Sequence, residues 1–140
     1  MWIWLVALGG AGVFTLALGL LHFFLPVLLD FSHGIPREGP PLRPLRLGPL
    51  SYGTTRQDVY GIAWVMNHAA SYTLVSIGVV DLLAYRWLGS DLGRWLAGWI
   101  AGWWLLRAAS QFYLGRRRGD WIIAGWFLLL ALLHGGVAWL

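Results

Sequence analysis

The sequence has no cysteine and no lysine, few charges, and almost no proline outside one segment. Without cysteine there is no disulfide framework, no thiolate metal centre and no thiol chemistry. Charged residues make up 11% of the 140 positions, where about a quarter is usual for a water-soluble domain. A short soluble chain must coat its core with polar groups, and this one has too few, so lipid is the expected solvent. Ten arginines against six carboxylates leave a net charge of +4. The arginines sit in short clusters between apolar runs, which suits anionic headgroups and provides no continuous basic face for nucleic acid.

What the chain has in abundance is apolar: 59% of its residues are hydrophobic and eleven are Trp. A helix needs about twenty apolar residues to cross a hydrocarbon core of roughly 30 Å. Four runs qualify, at about 2–29, 59–87, 95–114 and 121–140. The expected fold is an all-α integral membrane protein, a four-transmembrane-helix antiparallel bundle forming one domain over 1–140. Boundary residues agree with this division. Thr54 and Gln57 have capping-box spacing, Gly89 and Gly115 are candidate helix stops, and Ser90 or Asp91 and Asp120 are candidate N-caps. The first run lacks the basic start of a signal peptide and is too long for one, so it is read as a permanent helix.

Loop 30–58 contains Pro36, Pro40, Pro41, Pro44 and Pro49, five of the six prolines, and cannot be a regular helix. Residues 42–47 alternate apolar and basic side chains and are expected to lie extended or polyproline-like along the headgroups; a lid over a cavity is the sharper alternative. Loops one and three carry seven arginines, including Arg116, Arg117 and Arg118, against Arg86 and Arg94 near loop two. The positive-inside tendency then places loops one and three in the cytoplasm and both termini outside. Abundant Arg, Gly and Trp without Lys suggests a bacterial gene, hence a bacterial cytoplasmic membrane.

Helices in lipid associate where small residues allow close backbone approach. Ala7, Ala11, Thr15 and Gly19 recur every four residues in the first run; Ala63, Asn67 and Ser71, continued by Gly78, do so in the second. The third contains Gly98 and Gly102 beside Ala97 and Ala101, a motif that serves an internal contact or a homo-oligomer equally well.

Ionisable groups inside such helices cost about 2.5–3.5 kcal/mol near the centre for Arg or Asp, so each needs a partner or a purpose. At 1.5 Å per residue, His22, His68 and Arg107 fall at a similar depth, roughly 10–14 Å from the inner helix ends. Asn67, Ser110 and Gln111 share that level. The candidate ligand-binding cluster is therefore His22, Asn67, His68, Arg107, Ser110 and Gln111. Asp81 and His134 form a second polar cluster toward the outer ends, either as a carboxylate–imidazole pair or with Asp81 reaching Arg86 or Arg94 instead.

Four functions follow. The first is a small polytopic membrane protein that binds or transports a small hydrophobic or anionic ligand through the inner cluster. The second is an electron-transfer anchor with His22 and His68 as axial ligands of haem b. The third is a lipid-modifying membrane enzyme, for which no catalytic residues can be named because paired carboxylates, H-E-x-x-H and a nucleophile elbow are lacking. The fourth is a structural subunit of a larger membrane complex. Membrane lipids are the common partner.

Overall fold

The computed structural model describes residues 1–114 and 118–140. Gly115, Arg116 and Arg117, a candidate helix stop and two loop-three arginines, lie outside the described residues. The chain is mostly helical. In order it forms α1 (Trp2–Phe23), α2 (Leu25–Leu28), α3 (Phe31–Gly34), β1 (Leu45–Leu47), β2 (Leu50–Tyr52), α4 (Arg56–Leu82), α5 (Ala84–Trp87), α6 (Asp91–Ser110), a 3-10 turn (Gln111–Tyr113) and α7 (Arg118–Ala138).

Several boundaries differ from the sequence expectation, each for a local reason. The first run breaks at Phe24, so α1 stops at Phe23 and Pro26 sits in the first turn of α2. Proline has no N–H to return to the carbonyl four residues earlier, here that of His22. The second run breaks at Leu83, where the Val80 carbonyl accepts the Leu83 N–H at 3.1 Å and the Trp87 indole N–H at 2.8 Å. Helix α4 is capped one residue later than expected. Thr55 Oγ1 accepts the Asp58 N–H at 3.1 Å, and Asp58 Oδ2 accepts the Thr55 N–H at 2.7 Å. Helix α6 starts at Asp91 rather than near 95 because Ser90 accepts the Gly93 N–H at 3.0 Å, just after Gly89 at φ +84°. It ends at Ser110, four residues early, and Asp120 lies inside the first turn of α7 rather than at its cap.

Loop 30–58 is more ordered than an extended strand along a surface. It contains α3 and an antiparallel hairpin pairing Leu45 with Tyr52, Arg46 with Ser51 and Leu47 with Leu50. The two-residue turn needs a positive φ at its first position, and Gly48 supplies it at +59°.

The fold divides into two compact units, the division falling within α1 and α4: Met1–Phe14 with Ile77–Leu140, and Thr15–Ser76. In the first, α6 and α7 run antiparallel, since Gly98 lies near Ala138 while Trp104 stacks on Phe127 at 5.3 Å. The first turns of α1 pack antiparallel to α7, with Trp4 against Gly136 and Phe14 against Trp126 at 5.8 Å. Leu8, Ala84, Ala97 and Val137 form a buried core there. In the second unit, α1 and α4 are antiparallel: Gly19 meets Leu74 and Val75, and Phe23 meets His68.

Small residues set these approaches. A Cβ on Gly12 would stand 2.9 Å from the Gly78 carbonyl, and one on Gly19 would stand 2.8 Å from the Val75 nitrogen. In α6 the buried pair is Ala97 and Ala101; Gly98 is exposed at the edge of the contact with α7, where a Cβ would stand 3.9 Å from that of Ala138, and nothing lies within 4 Å of a Cβ on Gly102.

Among the described residues, α1 and α7 are the two helices long and apolar enough to cross a membrane. Helix α4 carries Asn67, His68, Ser71 and Asp81, and α6 carries Asp91, Arg94 and Arg107, which lower their hydropathy.

Gly12→Val and Gly19→Val should each destabilise by about 1–3 kcal/mol through backbone overpacking, read as a lower Tm of the detergent-solubilised protein. Gly102→Ala should leave Tm unchanged or slightly raised.

Candidate functional site

The first unit buries Asp81 and His134 completely. Asp81 falls on the inward stripe of α4 with Ile77 and Gly78, and Ala84 of α5 is buried three residues on. His134 falls on the α7 stripe of Phe127, Leu130, Ala131 and Val137. Gly12 lets α1 come close to the Asp81 Cβ. The imidazole Nε2 lies 3.0 Å from Asp81 Oδ1 and 3.2 Å from Oδ2. Its Nδ1 lies 2.7 Å from the Leu130 carbonyl oxygen.

That geometry fixes a proton count. A carbonyl oxygen only accepts, so Nδ1 carries a hydrogen and donates it. One further proton then lies between Nε2 and the carboxylate, whether the pair is written as imidazolium–carboxylate or as imidazole–carboxylic acid. In both forms the net charge is zero, the least costly charge to bury. Gain or loss of one proton leaves a unit charge in an apolar interior. Asp81 is held by His134 rather than by Arg86 or Arg94. Arg94 pairs with Asp91, and Arg86 bonds Tyr85.

The six-residue cluster is divided: His22, Asn67 and His68 belong to the second unit, and Arg107, Ser110 and Gln111 to the first. In the second unit, Asn67 Nδ2 donates to the His22 carbonyl at 3.0 Å, the very oxygen that Pro26 leaves without its helical donor. Ser71 Oγ donates its one hydrogen to the Asn67 carbonyl at 2.7 Å, so His22 Nδ1 is the donor in its 3.2 Å contact with Ser71 Oγ. Asn67, Ser71 and His22 form a closed network that repairs a proline break. Sequence reasoning missed this use, and its signal was the spacing of four from His22 to Pro26. His68 differs. It makes no hydrogen bond among the described residues, its ring is exposed, and it leans on Phe23 at 5.9 Å and Trp64 at 5.5 Å.

In the first unit the Arg107 guanidinium lies 5.3 Å from the centre of the Phe127 ring, Ser110 Oγ donates to its own helix at Leu106, and Gln111 is buried at the start of the 3-10 turn. Four buried groups lack partners among the described residues: the Thr15 hydroxyl, the Arg56 Nε–H and the indole N–H groups of Trp64 and Trp104.

In loop 30–58, Asp30 adopts φ +48° and accepts from the Ser32 hydroxyl at 2.6 Å, with His33 Nδ1 at 2.7 Å. The Ser32 bond and then His33 hold its carboxyl below the usual carboxylate range. This turn is therefore most ordered near neutral pH and loosens as pH falls through that lowered value.

Haem would call on His22 and His68, one from each helix of the second unit. Among the described residues no group of three or more His, Asp or Glu side chains could hold a metal ion. No known protein family, characterised protein or solved structure matches the chain.

Removing one member of the buried pair should be asymmetric. His134→Leu strands a buried carboxylate and should cost about 3–5 kcal/mol, whereas Asp81→Leu leaves a neutral imidazole with one unpaired nitrogen and should cost about 1–3 kcal/mol. The double variant should recover much of the His134→Leu loss, measured by denaturant unfolding in micelles. Asn67→Leu, which abandons the His22 carbonyl, should cost about 1–3 kcal/mol in the same assay.

Proposed function

We propose that the chain is a four-helix integral membrane protein of the binding or transport class, with the Asp81–His134 pair as its proton-handling centre. Support for lipid comes from the outer faces of the helices. Helix α7 leaves Ile122, Trp126, Leu129 and Leu132 exposed around a single buried stripe, and α1 leaves Ile3, Val6, Val13 and Leu20 exposed. A helix apolar on all sides belongs in a large core or a bilayer. Helices α4 and α6, 27 and 20 residues long, reach about 40 and 30 Å at 1.5 Å per residue, enough to span beside them. The arginine count orients loop 30–58 toward the cytoplasm and both termini outward, in a bacterial cytoplasmic membrane.

The observation that carries the functional part is the wholly buried carboxylate–imidazole pair. An apolar pair of similar volume would pack as well or better, so the ionisable pair points to proton handling. Within each unit, ligand contact is assigned to an ionisable member of the six-residue cluster that forms no hydrogen bond among the described residues: the His68 imidazole in the second and the Arg107 guanidinium in the first.

Two measurements test this. Because the chain lacks cysteine, single cysteines placed at Ser32 and at Leu140 are unique labels. In intact cells an impermeant maleimide should label Leu140→Cys and spare Ser32→Cys; equal labelling of both would overturn the four-span arrangement. In phosphatidylcholine vesicles with a trapped pH dye, the protein should speed internal acidification after an acid pulse, with Asp81→Asn slowing it by about tenfold, as expected for loss of an intramembrane proton carrier. Flux indifferent to Asp81 and His134 would return the pair to a packing role in a structural subunit.

A further inference from the structure

Loop 30–58 and the start of α4 enclose a cleft of about 550 Å³ that the proposed function does not use. Arg43, Arg46, Tyr52 and Thr54 line it from the loop side, and Asp58 and Ile62 from the helix. Asp58 is the acid among the cleft's lining residues, and it is already engaged by the backbone and hydroxyl of Thr55; Asp30 and Glu38 of the same segment do not line the cleft. Arg37 is likewise engaged, donating to the Tyr60 hydroxyl at 2.6 Å and stacking over its ring. Arg43 and Arg46 make no hydrogen bond or ion pair among the described residues. Two arginines therefore line the cleft against a single carboxylate, which makes it a net positive seat.

The cleft also opens onto apolar surface. Val59, Ile62 and Met66 follow one another on one side of α4 and are all exposed, Ile62 at 59%. A planar guanidinium matches phosphate oxygens in a forked geometry, while the stripe below offers contact to hydrocarbon. A soluble phosphate would use the first feature and leave the second bare.

We propose that this cleft is a binding site for one anionic phospholipid, with Arg43 and Arg46 on its phosphate and the acyl chain laid along Ile62 and Met66. The site rests on the membrane placement proposed above and adds to it a headgroup preference located at two residues.

The test uses the full chain reconstituted in vesicles of equal phosphatidylglycerol and phosphatidylcholine, then extracted in mild detergent, with the retained lipids counted by native mass spectrometry. Phosphatidylglycerol should be retained about fivefold over phosphatidylcholine, in keeping with a paired basic site. Arg43→Gln/Arg46→Gln should bring that ratio close to one, with Tm unchanged. Arg86→Gln/Arg94→Gln should leave it intact. The site is overturned if the first variant keeps the preference, if the second loses as much, or if glycerol 3-phosphate displaces the lipid completely, which would mark a seat for a soluble anion. Failure to incorporate even into pure phosphatidylcholine vesicles would sink the membrane placement itself; normal incorporation without headgroup preference would sink the cleft alone.

Discussion

A polar group surrounded by apolar side chains must be answered by another group of the same chain, because neither hydrocarbon nor a packed core will answer it. That constraint decides where the helices of this protein bend and which faces they turn inward. Pro26 removes one helical donor, and the consequence runs from the His22 carbonyl to Asn67, from Asn67 to Ser71, and from Ser71 back to the His22 ring. Helix α4 then has to present Asn67 and Ser71 toward α1, which brings Leu74 and Val75 against Gly19. A break in one helix thereby sets the rotation of another.

The same constraint acts differently on Asp81 and His134. Their burial is tolerable because a single proton, shared between them, keeps the pair neutral, while the Leu130 carbonyl holds the second ring nitrogen. A hydrogen-bond network of amides and hydroxyls has one stable proton arrangement. A carboxylate–imidazole pair can be written with its shared proton on either partner at zero net charge, and the proposed proton-handling role rests on that choice. This contrast is why we assign a working role to Asp81 and His134 and a supporting one to Asn67 and Ser71.

The loop between α3 and α4 shows the constraint at work where polar groups are plentiful. Asp30 and Asp58, which flank it, are held by local hydroxyl, amide and imidazole groups, while Arg43 and Arg46 make no hydrogen bond or ion pair among the described residues and lie beside an exposed apolar stripe.

The sequence by itself determined that four apolar runs exist, that α1 and α7 are apolar on all sides, and that loop 30–58 could not be one helix. These follow from composition and from proline chemistry, which act over a few residues. It also singled out the residues that demand an answer: His22, Asn67, Asp81, Arg107 and His134 are conspicuous wherever they fall. The partners were a tertiary matter. Whether Asp81 met Arg86, Arg94 or His134 depended on which faces of α4 and α7 turned toward each other. Equal depth along separate helices defines the six-residue cluster by height alone, since 1.5 Å per residue says nothing of rotation. The inward turn of Ala97 and Ala101, with Gly98 at the edge of the contact and Gly102 outside it, was decided the same way. A step of one residue turns a side chain by about 100° around the helix axis, and only packing against a neighbour selects the angle.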